Sequence, residues 1–179
     1  TLIHDEVPPD CHPLGPNNKL VFSPGFVTGT PAPTSARLSV GAKSPLTGTI
    51  KESNVGSEWP QAIAFMRIRA LVVEGKPEEK DKFWTVHLSW DEVAGKPKVE
   101  FSPADEYTGK SLYDVYPKLF ERFGKVHIAG IGTAGEFGYG DSGIAFDDMK
   151  GKPTRYAGRG GLGAVMGSKG LKFIILDSA

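Results

Sequence analysis

The chain has 179 residues, enough for one domain with a real core or for the first domain of something longer. Lysine plus arginine and aspartate plus glutamate balance at 21 each, so no overall field points to nucleic acid or to a membrane surface. Cys11 is the only cysteine, which excludes an intrachain disulfide, a thiolate zinc site and an iron–sulfur cluster held by this chain, and fits a reducing, cytoplasmic compartment.

Residues 1–18 are rich in proline and aspartate and read as an irregular arm. His4, Cys11 and His12 match no standard metal-ligand spacing. Lys19–Ser23 is a short strand closed by the turn at Pro24-Gly25, and Pro31 and Pro33 keep Gly29–Ser35 looped. Arg37–Ala42 alternates Leu38 and Val40 with Ser39 and Gly41, the period of a half-buried strand. Ser44–Ile50 reads as a turn leading into a strand, and Ser53–Gly56 as a tight loop. Pro60 opens a short helix to about Met66, because proline suits a first helical turn.

Ala70–Glu74 reads as a buried strand, Lys76–Lys82 as a solvated charged loop, and Trp84–Leu88 as a strand with His87 as a spacer. From Leu112, apolar residues recur at 115, 116, 119, 120 and 123, a helical period that Pro117 either starts or kinks. Val126–Ile131 is a buried strand, 137–154 is polar and irregular, and Phe173–Leu176 is the last strand. These elements predict an α+β domain with β dominant, of six to eight short strands and two or three helices.

The basic glycine-rich run Arg155–Lys172 stands out. Four of its residues are arginine or lysine, and none is acidic. Glycines let backbone N–H groups approach a ligand, and guanidinium forks beside them suit a phosphate. Gly158, Gly160 and Gly163 fit the dinucleotide spacing, and Asp177 sits where a ribose-binding acid belongs. The context opposes that reading. Lys150–Ala157 is polar with Pro153 inside it, and Gly163 lies too close to Phe173 for a crossover helix. Three further segments share the chemistry: Gly29–Arg37, Lys43–Thr49 and Ser53–Gly56. Together they predict several loops converging on one anionic ligand.

Leu14-Gly-Pro-Asn-Asn-Lys-Leu, Thr28-Gly-Thr-Pro-Ala-Pro-Thr-Ser, Lys43-Ser-Pro-Leu-Thr-Gly-Thr, Glu52-Ser-Asn and Ala157-Gly-Arg-Gly-Gly-Leu-Gly-Ala-Val-Met-Gly-Ser-Lys closely resemble the N-terminal domain of the tungsten-containing aldehyde ferredoxin oxidoreductases. The resemblance runs in order from about Leu14 to Leu176. It implies two β-sheets with a few short helices, forming a base under a tungsten bis-molybdopterin cofactor. Carried over by position, Arg37, Asn54, Gly56, Arg155, Tyr156, Gly158 and Arg159 are the expected cofactor-binding residues, with none catalytic. Backbone carbonyls of Asn54 and Tyr156 are the expected ligands of a magnesium ion bridging the pterin phosphates. Tyr156 stands where the family usually has alanine, and Ser57 where it has a second glycine.

The resemblance also implies that residues 1–179 are one domain of a longer enzyme, lacking upstream strands and the downstream domains with the [4Fe–4S] cluster and the catalytic residues. Those domains, and ferredoxin or another electron-transfer subunit, are the expected partners, and an uncovered cradle favours self-association. The isolated domain is expected to be inactive. Two other readings remain open: a stand-alone module binding a phosphate-bearing ligand or pterin, and a structural domain whose basic loop is only surface.

Overall fold

The computed structural model describes residues 2–79 and 82–177. A four-stranded antiparallel sheet contains β1 (Leu20–Pro24), β2 (Arg37–Lys43), β3 (Ile50–Gly56) and β4 (Leu71–Val73), in the order β3-β2-β1-β4. A six-stranded sheet contains β5 (Trp84–Asp91), β6 (Lys96–Pro103), β7 (Val126–Gly130), β8 (Ile144–Phe146), β9 (Arg155–Ala157) and β10 (Leu171–Asp177), ordered β6-β5-β10-β7-β8-β9. Its neighbours run antiparallel except β5 and β10. Five α-helices are described: α1 (Leu2–Glu6), α2 (Trp59–Phe65), α3 (Leu112–Phe123), α4 (Thr133–Glu136) and α5 (Leu162–Ser168).

β10 shows why the sheets assemble as they do. Its residues are buried from Leu171 to Leu176, because both faces of the strand are covered. Ile174 and Leu176 join the main core with Phe22, Leu38 and Val40 of the four-stranded sheet. Phe173 and Ile175 face the other way, into a second core under α3. Trp59 of α2 fills the middle of the main core, 5.7 Å from Phe22 and edge-on to Phe146 at 5.6 Å between ring centroids.

α3 continues unbroken across Pro117. Ser111 caps it by accepting from the Tyr113 N–H, and Leu112, Val115, Tyr116 and Leu119 are buried. Burying four such side chains contributes roughly 1.5–3 kcal/mol each, which outweighs the cost of about 3 kcal/mol for an interior proline.

The α+β, β-rich expectation holds, with more elements than the sequence signalled. β8 lies inside the segment read as irregular, and its three residues are fully buried. Ser53–Gly56 is the end of a strand paired with β2, where a tight loop was expected. The N-terminal arm carries α1, whose Ile3 side chain packs over Gly41. The arm is also tied down by lysines, since Lys43 Nζ donates to the carbonyls of Pro9 and Cys11. No helix of the described residues is long and apolar enough to cross a membrane.

Lys169 is buried at the start of the turn into β10, and its three donors meet the carbonyls of Gly15, Pro16 and Asn18. Burial pulls its pKa from 10.5 to about 8, and nearby Lys76 acts in the same direction. An amine that holds its proton less tightly when folded costs stability below that pH and regains it as pH rises through the window. Between pH 8 and 10.5 the chain should therefore gain of order 2 kcal/mol relative to Lys169→Met. Urea unfolding of both proteins across that range measures it, and equal pH slopes would refute the assignment.

Candidate functional site

β3 closes one edge of the four-stranded sheet and β9 one edge of the six-stranded sheet, and the two edges lie against each other. An edge strand leaves alternate N–H and C=O groups without ladder partners, so two meeting edges supply free backbone donors and acceptors. Between them is a surface cleft of about 510 Å³, lined by Thr34, Arg37, Asn54, Gly56, Arg155 and Tyr156 among others. At its lip Thr34 has φ 57°, a left-handed conformation uncommon for a β-branched residue.

The register explains the composition. Arg37 opens β2 directly opposite Gly56 at the end of β3. The Arg37 guanidinium lies against Gly56, where a Cβ would stand 3.4 Å from Arg37 Nη1, at the edge of ordinary contact. Arg155 opens β9 opposite Phe146, and Tyr156 pairs with Ala145. The Tyr156 ring is half-exposed beside α3. Burial raises the pKa of its phenol, and Tyr113 adds to the effect.

Five of the seven expected site residues thus line one cleft. Gly158 and Arg159 are not among the lining residues but follow β9 directly, and the Arg159 N–H donates to Ser53 Oγ at 3.3 Å, next to Asn54. The chain has six arginines. Arg69 and Arg122 donate to Phe26 O and Glu106, and Arg67 lies over the Trp90 ring. Arg37, Arg155 and Arg159 are exposed and make no salt bridge or side-chain hydrogen bond among the described residues, although Arg155 lies close enough to Asp148 to help hold its carboxyl below the usual range. Their charge is available to an anion.

The glycine run behaves differently from its sequence reading. Only Gly158 is open, since a Cβ there would meet nothing closer than Tyr156 Cβ at 3.6 Å. Gly161, Gly163 and Gly167 are spent on packing. Added Cβ atoms would lie 2.0 Å from Gly140 O, 2.4 Å from Gly143 O and 2.1 Å from Gly135 O. Lys169 and Lys172 are buried, and Lys172 pairs with Glu136, so neither faces the cleft. In the Lys43–Thr49 turn, Ser44 Oγ donates to Gly160 O at 2.7 Å, holding the glycine loop onto the first sheet. That turn supports the site without lining it. Thr34 lies within the Gly29–Arg37 segment expected at the ligand, whereas Thr154 was not singled out in the sequence and only its place beside Arg155 could have marked it. Among the described residues no cluster of three histidine, cysteine or acidic side chains could hold a metal, so oxygen ligands here would be backbone or amide groups.

Comparison with known proteins gives one consistent answer. Residues 1–178 match the family model "Aldehyde ferredoxin oxidoreductase, N-terminal domain". The chain is 38% identical over 180 residues to the tungsten-containing aldehyde ferredoxin oxidoreductases of Thermococcus kodakarensis and Pyrococcus furiosus. That match takes in 99% of this chain and 27% of each relative, so the chain spans about a quarter of their length. Its fold superposes with a TM-score of 0.87 on the active site complex BamBC of benzoyl coenzyme A reductase in complex with 1,5-dienoyl-CoA. Identity there is 29%, covering 99% of this chain and 25% of the other. The chain therefore belongs to the aldehyde ferredoxin oxidoreductase family, to whose N-terminal domain it corresponds.

Proposed function

We propose that this chain is the cofactor-cradling domain of a tungsten–pterin oxidoreductase. In the full-length enzyme an aldehyde and water would become a carboxylic acid, two protons and two electrons. The electrons would leave through a [4Fe–4S] cluster to ferredoxin. The carrying observation is the cleft itself, where arginines without salt-bridge partners stand beside two strand edges. A bis-molybdopterin group brings several phosphate charges to one place, and unpaired guanidinium forks offset them with directed hydrogen bonds.

Arg37 and Arg155 would hold the phosphates, with the Arg37 guanidinium against Gly56. Gly158, with Arg159 beside it, would let backbone approach the pterin edge. Carbonyls of Asn54 and Tyr156, on facing edge strands, suit a hard magnesium ion between the phosphates. When bound, the tungsten–pterin group supplies the two-electron chemistry, and these residues bind and orient it. Cys11 is buried and alone, so cluster ligands would come from other parts of the enzyme, as would the catalytic acid–base groups. By this reading the isolated domain is inactive.

The test is metal and pterin analysis of the full-length protein purified anaerobically from its native host. Tungsten with a pair of pterins is expected in the wild type. In Arg37→Ala/Arg155→Ala, pterin retention should fall at least about tenfold, given the strength of charge-assisted hydrogen bonds. A bound phosphate-bearing ligand without metal or pterin would instead favour the non-catalytic binding module. Similarity to a benzoyl coenzyme A reductase complex favours a reductive reaction on the same cradle as the second enzymatic reading. Aldehyde-dependent reduction of ferredoxin separates the two.

A further inference from the structure

Opposite the β3–β9 cleft, the two sheets are of unequal width. The Arg67 guanidinium, just before β4, lies 5.6 Å over the Trp90 ring at one end of β5. Glu74 and Gly75, just after β4, share a cleft of about 410 Å³ with Trp84 at the other end of β5 and with Phe101 of β6. β4 therefore runs along β5, and it is the last strand of its sheet. β6 is one strand further out, and among the described residues no strand of the first sheet reaches over it. Val99 and Phe101 stand opposite Leu88 and Val86, both in the main core, so all four point to the inner face. Yet Val99 is 50% exposed and Phe101 66%.

The two edges differ in chemistry. The Ala104 N–H donates to Phe83 O, which by alternation sets Lys98, Glu100 and Ser102 on β5 and turns Pro97, Val99, Phe101 and Pro103 to the free edge. The two prolines offer no N–H there, so this edge is closed to a further strand. In the first sheet the Gly25 N–H donates to Arg37 O, which sets Ser23 and Val21 on β2 and leaves Leu20 and Phe22 for β4. Leu71 and Val73 pair with those two, so the N–H and C=O of Val72 face outward. They have no backbone partner among the described residues, and β4 contains no proline or lysine to guard them.

We propose that β4 accepts a fifth strand from a part of the same polypeptide outside residues 1–179, and that this strand covers Val99 and Phe101. Neighbouring strands keep a common spacing in both sheets, so the place beside β4 lies over β6 as β4 lies over β5. The chain spans about a quarter of the length of its relatives, which leaves ample polypeptide to supply the strand. A segment of the same molecule also acts at a high effective concentration. Its residues alternate, apolar toward Val99 and Phe101 and polar toward solvent. A second copy fits less well, because a three-residue edge is too short to hold two protomers and the β6 edge is closed. The inference rests on the longer enzyme proposed above and is independent of its cofactor.

The experiment uses the full-length protein. Residue-resolved hydrogen exchange at Val72 should be at least about a hundredfold slower than at a solvent-facing edge amide. Phe101→Cys, followed by peptide mass, should react with a maleimide at least about tenfold more slowly than Val93→Cys, whose side chain is fully exposed between β5 and β6. In Phe101→Asp, Val72 and one segment outside residues 1–179 should lose protection together, which identifies the strand, while tungsten and pterin content stay at the wild-type level. Fast exchange at Val72 would refute the added strand even if Phe101 is covered, and fast labelling of Phe101→Cys would refute the cover. Protection that disappears on dilution would assign the edge to a second copy and overturn the proposal. None of these outcomes touches the cofactor reading, which the arginine variants decide.

Discussion

Gly161→Ala is expected to destabilise the chain by about 3–5 kcal/mol, while Gly158→Ala, three positions earlier, leaves its melting temperature within a degree or two. Gly161 has φ 69°, where an alanine costs about 1–2 kcal/mol. Its new Cβ would also lie 2.0 Å from the Gly140 carbonyl oxygen and 2.8 Å from Pro45 Cγ. The first is backbone and the second a ring, so neither moves aside as a flexible side chain would. Overpacking of this kind adds about 1–3 kcal/mol or more. Gly158 has no positive φ and an open Cβ direction. Its substitution should spare the fold and instead weaken pterin retention in the full-length protein. Chemical denaturation of the three chains measures the contrast. Equal losses would mean that the two glycines do the same job, against the division drawn here.

That contrast also shows what could be read from the sequence. The run 155–172 was recognisable as a special segment, and Arg37 and Arg155 meet at one cleft as the motif order implied. Nothing local distinguishes a glycine kept open for a ligand from one kept small for a neighbour, because both appear as Gly. The neighbours of Gly161 and Gly163 are Gly140 and Gly143, which only the fold brings near. Lys169 and Lys172 carry the same lesson. Two lysines in a glycine-rich stretch look like a phosphate site, yet their partners are carbonyls of residues 15, 16, 18 and 131 and the carboxylate of Glu136. The strands with strong alternation, such as β2, were readable. β8 was not, since three buried residues between a glycine and an aspartate have no period to detect.

Lys172→Met carries the second large expectation, a loss of about 3–5 kcal/mol. Lys172 is fully buried at an irregularity in β10, where Leu171 pairs with Trp84 and Phe173 with the very next residue, Thr85. The extra residue turns its side chain toward α4. There its ammonium donates to Ile131 O at 2.6 Å and to Glu136 Oε1, while Glu136 Oε2 accepts from the Gly109 N–H at 2.9 Å. Burial lowers the pKa of Lys172 and the Glu136 carboxylate opposes that shift. Methionine fills a similar volume but leaves the Glu136 carboxylate a single N–H partner at a partly buried position. Adding Glu136→Leu removes the stranded charge and should restore most of the loss, leaving about 1–3 kcal/mol for the unpaired Gly109 N–H and Ile131 carbonyl. A double-mutant cycle by urea unfolding reads the coupling directly, and additive losses would mean that the two charges do not depend on each other. The consequence reaches the cleft through contact. α4 packs on α5 with Gly167 against Gly135 O, and α5 follows immediately on the glycine loop that Ser44 and Ser53 pin to the first sheet. Loosening the ion pair should therefore raise hydrogen exchange along 158–168 before β1 or β2 exchange.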